Sequence, residues 1–416
     1  MATTVQIVQP TAAARLMGLV RPLDQHGHDA WLTGESLAEL MLGHAPQRLT
    51  LETTARAEEI SSLFERAVPI GPAGVAWRIA TPEGPIDCLP RLKQNPQTQN
   101  LARRGLTLFA MAWWPLRNHL EDPFGGQADL AAQRLRLIDP AHRPLARDPG
   151  LAFSILKRVG LRGEKPDAPC EQALGELRIQ DLDRIPSPWR GTSLRMLFDS
   201  PHLNQVIDLL QSTQLERGLG VQSSPDTSTL IQQSPQDAAL ALSIWLRGAR
   251  AGRFLRRHRF ERQFADRVLR LLRAHPLDEN FSPRKRPSLV RLAALPTKDR
   301  EALFRLRTLE LKQGPRTETH DAAIQHLQRL QTALAEHQER EFSQRESPAL
   351  NLDGSEVMEA LGIDAGPLVG RALAYLKKQI AVSPELNEPA ALHALLQRWK
   401  TDDFVDAPNV KHETMP

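Results

Sequence analysis

Residues Ala30 to Thr54, AWLTGESLAELMLGHAPQRLTLETT, read as a strand, a glycine turn, a helix, a loop and a second strand. That is the layout of a nucleotide-binding corner, where a helix start offers backbone N–H groups to phosphate. The charges such a corner needs are missing from this stretch or reversed, so enzyme and non-enzyme readings both start here. A second chemical feature is basic. Between Arg247 and Arg273 stand ten arginines against two acids, Glu261 and Asp266. Arg250, Arg253 and Arg257 follow i, i+3, i+7 spacing and share one helical face. A concentrated basic strip suits a phosphate backbone; a solvated face whose arginine stems cover apolar neighbours is the plainer alternative.

The elements that must position these groups divide at about residue 145. Residues 10–25 suit a short amphipathic helix carrying Leu16, Leu19, Val20 and Leu23, and His26-Gly27-His28 turns the chain into the strand AWLT. GVAWRIA (74–80) and GPIDCLP (85–91) read as a hairpin around Pro82-Glu83-Gly84. Helical periodicity takes over from LAFSILKRVGL onward, giving an α+β head followed by an all-helical remainder. Linkers are expected at 163–170, at the Ser/Gln/Pro-rich 218–237 and at 280–288. A long amphipathic helix is expected near 321–342, with Ile324, Leu327, Leu330 and Leu334 on its apolar side, and the last 15 residues read as frayed.

The 416 residues allow two to four modules, and 41% hydrophobic with 25% charged content is ordinary for a globular chain. No apolar run reaches the length of a membrane helix, and the N-terminus does not read as a signal peptide. Two cysteines, Cys88 and Cys170, argue against a disulfide framework and a cysteine zinc site. A cytoplasmic protein without membrane partners is expected.

Four landmarks in order carry a resemblance to a known family. Gly34–Thr53 is similar, without a gap, to GGxVRDxLLGxxPxDxDxxT; ARRGLTLFAMAWWP (102–115) resembles an RRDFTxNA-type motif. DPFGGQADLAAQRLRLIDP (122–140) with RDPGLAFSILKR (147–158) resembles DPFGG…DL…LR…DPLRxLRxxR. LDGSEVMEALGIDAGPLVGRALAYL (352–376) resembles a GxxLMxxLGIxPGPxVGxxLxxL helix pair. Together they resemble the bacterial tRNA nucleotidyltransferases (CCA-adding enzymes, class II) and bacterial poly(A) polymerases. The resemblance implies a polymerase β-like nucleotidyltransferase head with a small mixed sheet over 1–145. A helical neck (146–215), body (216–345) and RNA-binding tail (346–416) would follow.

By that resemblance the chemistry is two-metal phosphoryl transfer, in which carboxylates at i and i+2 of a strand share hard cations. Here those two positions are Arg48 and Thr50. A guanidinium repels Mg²⁺, and a neutral hydroxyl holds it weakly. Gly34 keeps the turn, but Glu35 replaces the second glycine and Ala38-Glu39 the Arg-Asp pair. Arg103 and Arg104 persist while Gly105 stands where an aspartate would read the base. Asp148, Pro149, Gly150 and Leu151 follow, with Ser154 and Lys157 at the next two arginine positions. Glu52, on the strand face of Thr50, and Asp87, in the paired strand, are the substitutes able to hold one cation; an ion pair with Arg48 is the more economical use of them.

The expectation is therefore a degenerate member with no intact catalytic set, no required cofactor, and Mg²⁺ only with residual activity. Gly34, Arg103, Arg104 and Asp148 are the remaining phosphate- and nucleotide-binding positions; Arg250, Arg253 and Arg257 would meet RNA, with tRNA or a tRNA-like hairpin as partner and ATP or CTP as candidate nucleotides. The alternatives are an active tRNA or poly(A) nucleotidyltransferase with a rebuilt carboxylate site, and a helical scaffold. A His-Asp phosphohydrolase site, present in some relatives, is not expected: 218–237 holds no histidine, and His320-Asp321 suits a helix start. Of Trp113 and Trp114, either could stack on a base, with core packing expected for at least one, and Cys88 reads as a small buried hydrophobe. Gly366 and Gly370 leave backbone open at a helix start, which a tight helix–helix turn explains.

Overall fold

The computed structural model describes residues 10–46, 48–70, 76–82, 84–90, 97–314, 317–346 and 350–403. The chain forms two compact units, residues 1–274 and 275–416.

The first unit opens with helix α1 (Pro10–Gln25), whose Leu16, Leu19, Val20 and Leu23 are buried. Strand β1 (Ala30–Thr33), helix α2 (Glu35–Met41) and strand β2 (Leu49–Thr53) then trace the strand–turn–helix–strand stretch read from sequence. Helix α3 (Ala57–Leu63) leads to β3 (Ala67–Ile70), β4 (Ala76–Ile79) and β5 (Ile86–Pro90). After α4 (Gln97–Ala102) come β6 (Ala112–Trp114) and β7 (His119–Glu121), completing a sheet of order β3-β4-β5-β2-β1-β6-β7 among the described residues. All its pairings are antiparallel except β2 with β5. The hairpin read from sequence is β4–β5.

Alternation decides which side chains reach the functional face. Leu49, Leu51 and Thr53 of β2 are buried, the two leucines in the core shared with α1 and α2, so Thr50 and Glu52 must point to the opposite face. Burying one such leucine contributes roughly 1.5–3 kcal/mol, enough to fix the register and with it the facing pair. Trp113 belongs to that same core, while Trp114 packs with Trp31, Leu101 and Ala112 on the functional face.

Helix α5 (Gly126–Ala131), the short strand β8 (Arg134–Leu135), α6 (Pro144–Arg147) and α7 (Gly150–Arg162) close the head, and β8 pairs in parallel with β9 (Lys165–Pro166). Beyond β9 the described structure is helical. The stretch expected as a linker at 218–237 is ordered by local bonds instead. Ser223 donates through N–H and hydroxyl to the buried Glu216, and helix Thr227–Gln233 buries Leu230 and Ile231. Helix Ala168–Gly175 likewise begins inside the expected linker 163–170, and Arg286–Ala293 inside 280–288.

In the second unit, the long helix runs over Glu318–Glu346, and Leu327, Leu330 and Leu334 are buried. Asp321 sits in its first turn. Gly362 ends helix Gly354–Leu361 in the left-handed region at φ 66°, and the next helix, Pro367–Val382, starts from Gly366. Its Ala372, Leu376 and Ile380 pack with Val357, Leu361 and Trp399. The expectation of a frayed end falls mostly on 404–416, outside the described residues.

Candidate functional site: a carboxylate face closed by arginines

Gly34, at φ 75° and ψ −155°, joins β1 to α2 in a conformation that disfavours a side chain. Behind it, the Ser36 hydroxyl donates to the Thr33 carbonyl at 3.1 Å and accepts the Thr50 N–H at 3.2 Å, tying turn to β2. Thr50 lies opposite Asp87 in the parallel β2–β5 register. The structure thus brings Arg48, Thr50, Glu52 and Asp87 to one sheet face.

Both acids of this face are ion-paired. Asp87 takes a bidentate bond from Arg78, with Nε at 2.7 Å and Nη2 at 3.0 Å. That bond raises the Arg78 pKa above its usual value against the opposing effect of burial. Arg48 adds a looser contact, 3.6 Å from the same carboxylate, with 61% of its side chain exposed. Glu52 accepts a bond from Arg104 and another, at 3.0 Å, from the Trp31 indole. The notion of Glu52 and Asp87 sharing a cation is therefore corrected: each is already neutralised by a guanidinium, and a cation would have to displace it. Among the described residues no three His, Cys, Asp or Glu side chains group as a metal site. Two-metal chemistry does not fit this donor set.

The other departures are paired in the same manner. Glu35 meets Lys157 of α7 at 3.0 Å. Glu39 accepts from Arg158 and Arg162, and the fully buried Arg158 also binds buried Glu164. Ala38 is buried. Gly105, at φ 78°, leaves no room for a side chain: a Cβ there would lie 2.4 Å from Leu151 Cδ2. The aspartate position and the first arginine position of the two motifs have become an apolar contact together. Asp148 is exposed and accepts the Gly150 N–H at 3.0 Å, just before α7. Arg103 is exposed, with no ion pair among the described residues.

The framework beneath is intact. Asp122 accepts the N–H groups of Gly126 at 2.6 Å and Gln127 at 2.9 Å. A Cβ at Gly126 would lie 2.4 Å from the Thr107 carbonyl, so the turn admits only glycine there. Burial pushes the Asp129 carboxyl up, but bonds from Thr107, Arg134 and Arg136 outweigh it and hold the group below the usual carboxylate range. Cys88 is buried as expected, which pushes its thiol up to about 12 and leaves it unreactive.

The basic strip is split between helices Ala251–Arg257 and Arg262–Ala274. Arg250 caps the first and Arg253 lies on it, both exposed. Arg257 is the correction: it donates twice to Asp183 at 2.7 Å and is only one-third exposed. Arg267 is bound to buried Asp237 at 2.7 Å. Sequence reading also missed Arg78, although it stands directly across the β4–β5 hairpin from Asp87 and that register was open to inference. Arg158 and Glu164 had no local signal.

No family model matches the chain. A CCA-adding enzyme of Geobacillus sp. (strain WCH70) is 23% identical over 216 residues, covering 48% of this chain and 53% of the relative. Poly(A) polymerase I of Haemophilus influenzae is 27% identical over 209 residues, covering 44% and 46%. The chain thus spans about half the length of these curated relatives. Among solved structures, the Bacillus stearothermophilus CCA-adding enzyme in complex with CTP aligns with TM-score 0.61 at 18% identity, over 96% of this chain and 100% of that one. The Thermotoga maritima enzyme complexed with tRNA gives 0.58 at 13%, over 95% and 97%. The fold is the one those structures share, a nucleotidyltransferase-type head followed by helical segments. In sequence and in fold the chain is similar to class II tRNA nucleotidyltransferases and bacterial poly(A) polymerases.

Proposed function

We propose that this protein is an RNA-binding member of its family that does not add nucleotides, with tRNA or a tRNA-like hairpin as its ligand. The observation carrying this reading is the fate of the β2–β5 face. Arg48 and Thr50 occupy the metal-ligand positions, and Glu52 and Asp87 are consumed by Arg104 and Arg78. In-line phosphoryl transfer needs cations to bridge the triphosphate and the attacking hydroxyl, and this face offers them no open carboxylate.

RNA binding is supported by what remains. Exposed Arg103, Arg250 and Arg253 suit phosphate contacts, which would be steeply salt-dependent and read shape rather than sequence. Of the solved structures with this fold, one is a complex with tRNA and others are complexes with CTP and ATP. Among the described residues no helix is long and apolar enough to cross a membrane.

The test incubates the protein with tRNA lacking its terminal CCA, labelled CTP and ATP, and Mg²⁺ or Mn²⁺, beside a binding titration of the same tRNA. Binding without incorporation is expected. Incorporation lost in Glu52→Ala would establish a rebuilt active site and overturn the proposal; neither binding nor incorporation would leave a helical scaffold.

A further inference from the structure

The disagreement between this donor set and a two-metal site has a chemical consequence. On the face where relatives would gather cations around carboxylates, the chain gathers guanidinium groups. Asp87 is already neutralised by its bidentate partner Arg78, so Arg48, 3.6 Å away and 61% exposed, carries a largely uncommitted charge. Arg104 spends one nitrogen on Glu52, while its Nη1 lies 3.4 Å from the point where a Gly34 Cβ would stand. That nitrogen therefore overhangs the β1–α2 turn. Arg103, the residue before it, is exposed. Thr50 and Glu52 are two residues apart on β2, roughly 7 Å along the strand and on one face.

We propose that this face binds a run of phosphate oxyanions without a divalent cation, with Arg48, Arg103 and Arg104 supplying the positive charge that metal ions would otherwise bring. Guanidinium forks match phosphate oxygens bidentately and stay charged at every physiological pH. A cation that chelates the ligand competes with them instead of recruiting it. The inference rests on the reading that nucleotide addition is lost, and it names the ligand chemistry that the same site keeps. No bond is made or broken.

The experiment titrates the full chain with inorganic triphosphate by calorimetry, once in excess EDTA and once in excess Mg²⁺. Binding in EDTA, weakened severalfold by Mg²⁺, is the expected result. Arg48→Ala and Arg103→Ala should each weaken it about tenfold, the loss of one charge-assisted bond, and Arg48→Lys should recover part. Both side chains are exposed, so unchanged circular dichroism and melting serve as the folding control. Arg340→Ala, on the long helix of the second unit and 72% exposed, should change nothing. Binding that requires Mg²⁺, absence of binding, or an equal loss in Arg340→Ala would overturn the proposal. A competition arm with short single-stranded RNA in EDTA identifies the source of the phosphates. Displacement assigns them to an RNA end and no displacement to a free nucleotide, either result upholding the site. Label incorporation into tRNA is read separately, so restored addition would sink the loss of catalysis without being mistaken for a failure of triphosphate binding.

Discussion

The Arg104 guanidinium is bonded to the Glu52 carboxylate across the sheet face, and the Trp31 indole donates to the same carboxylate at 3.0 Å. Both partners of the ion pair are mostly buried, at 26% and 14% exposure. The pair is thus part of the architecture of the head.

Glu52→Ala should accordingly cost stability, not activity. Stranding a partly buried guanidinium costs on the order of 1–3 kcal/mol, read as a lower urea midpoint at unchanged m-value. Glu52→Gln, which keeps an acceptor for the indole, should cost less. Nucleotide incorporation into tRNA should stay at background in both.

Restoring the family's aspartate at position 105 should harm the protein. The backbone there is at φ 78°, and the new Cβ would meet Leu151. An L-residue held at positive φ costs about 1–3 kcal/mol, so Gly105→Asp should melt lower. Adding Leu151→Ala should remove the steric share and leave the backbone share, which thermal melts of the single and double variants would separate.

RNA affinity should depend unequally on the arginines of the basic strip. Arg253 is exposed, so Arg253→Ala should weaken tRNA binding and reduce the slope of log affinity against log salt by about one. Arg257 is already committed to Asp183, whose carboxyl its bond holds below the usual range against burial, with Arg190 assisting. Arg257→Ala should change the salt slope less. Filter binding across a salt series distinguishes the two.

Acid should weaken the first unit through His258. Burial lowers its pKa to about 4, with the Arg190 and Arg257 charges adding to the effect. Between the unfolded value near 6.5 and the folded value near 4, the unfolded chain takes up a proton that the folded one refuses. Stability therefore falls as pH drops through that window, by on the order of 3 kcal/mol, and this contribution is flat below it. Denaturant midpoints from pH 7 to 4 should show the slope, and His258→Gln should flatten it.

Much of the head was legible in sequence because its signals are local. Leucine spacing gives α1, alternation and the Pro-Glu-Gly turn give the β4–β5 hairpin, and the ungapped run from Gly34 to Thr53 aligns Arg48 and Thr50 with the two aspartates of the resembled motif. The apolar members of 218–237 are too few for a period, and the segment is held by Glu216 and Ser223 side chains, a kind of order that periodicity does not report.

What the sequence determined by itself is the identity of the charges: Arg48 and Thr50 where the resembled motif carries acids, two arginines at 103 and 104, and an arginine-rich strip beyond 247. Tertiary structure alone decided how those charges are spent. Glu52 finds Arg104 from 52 residues away, Glu39 finds Arg158 from 119, and Arg257 finds Asp183 from 74. A charge is a property of a residue and can be read one position at a time. Its neutralisation depends on a distance of a few ångströms between residues far apart in the chain, and only the packed sheet and helices set that distance.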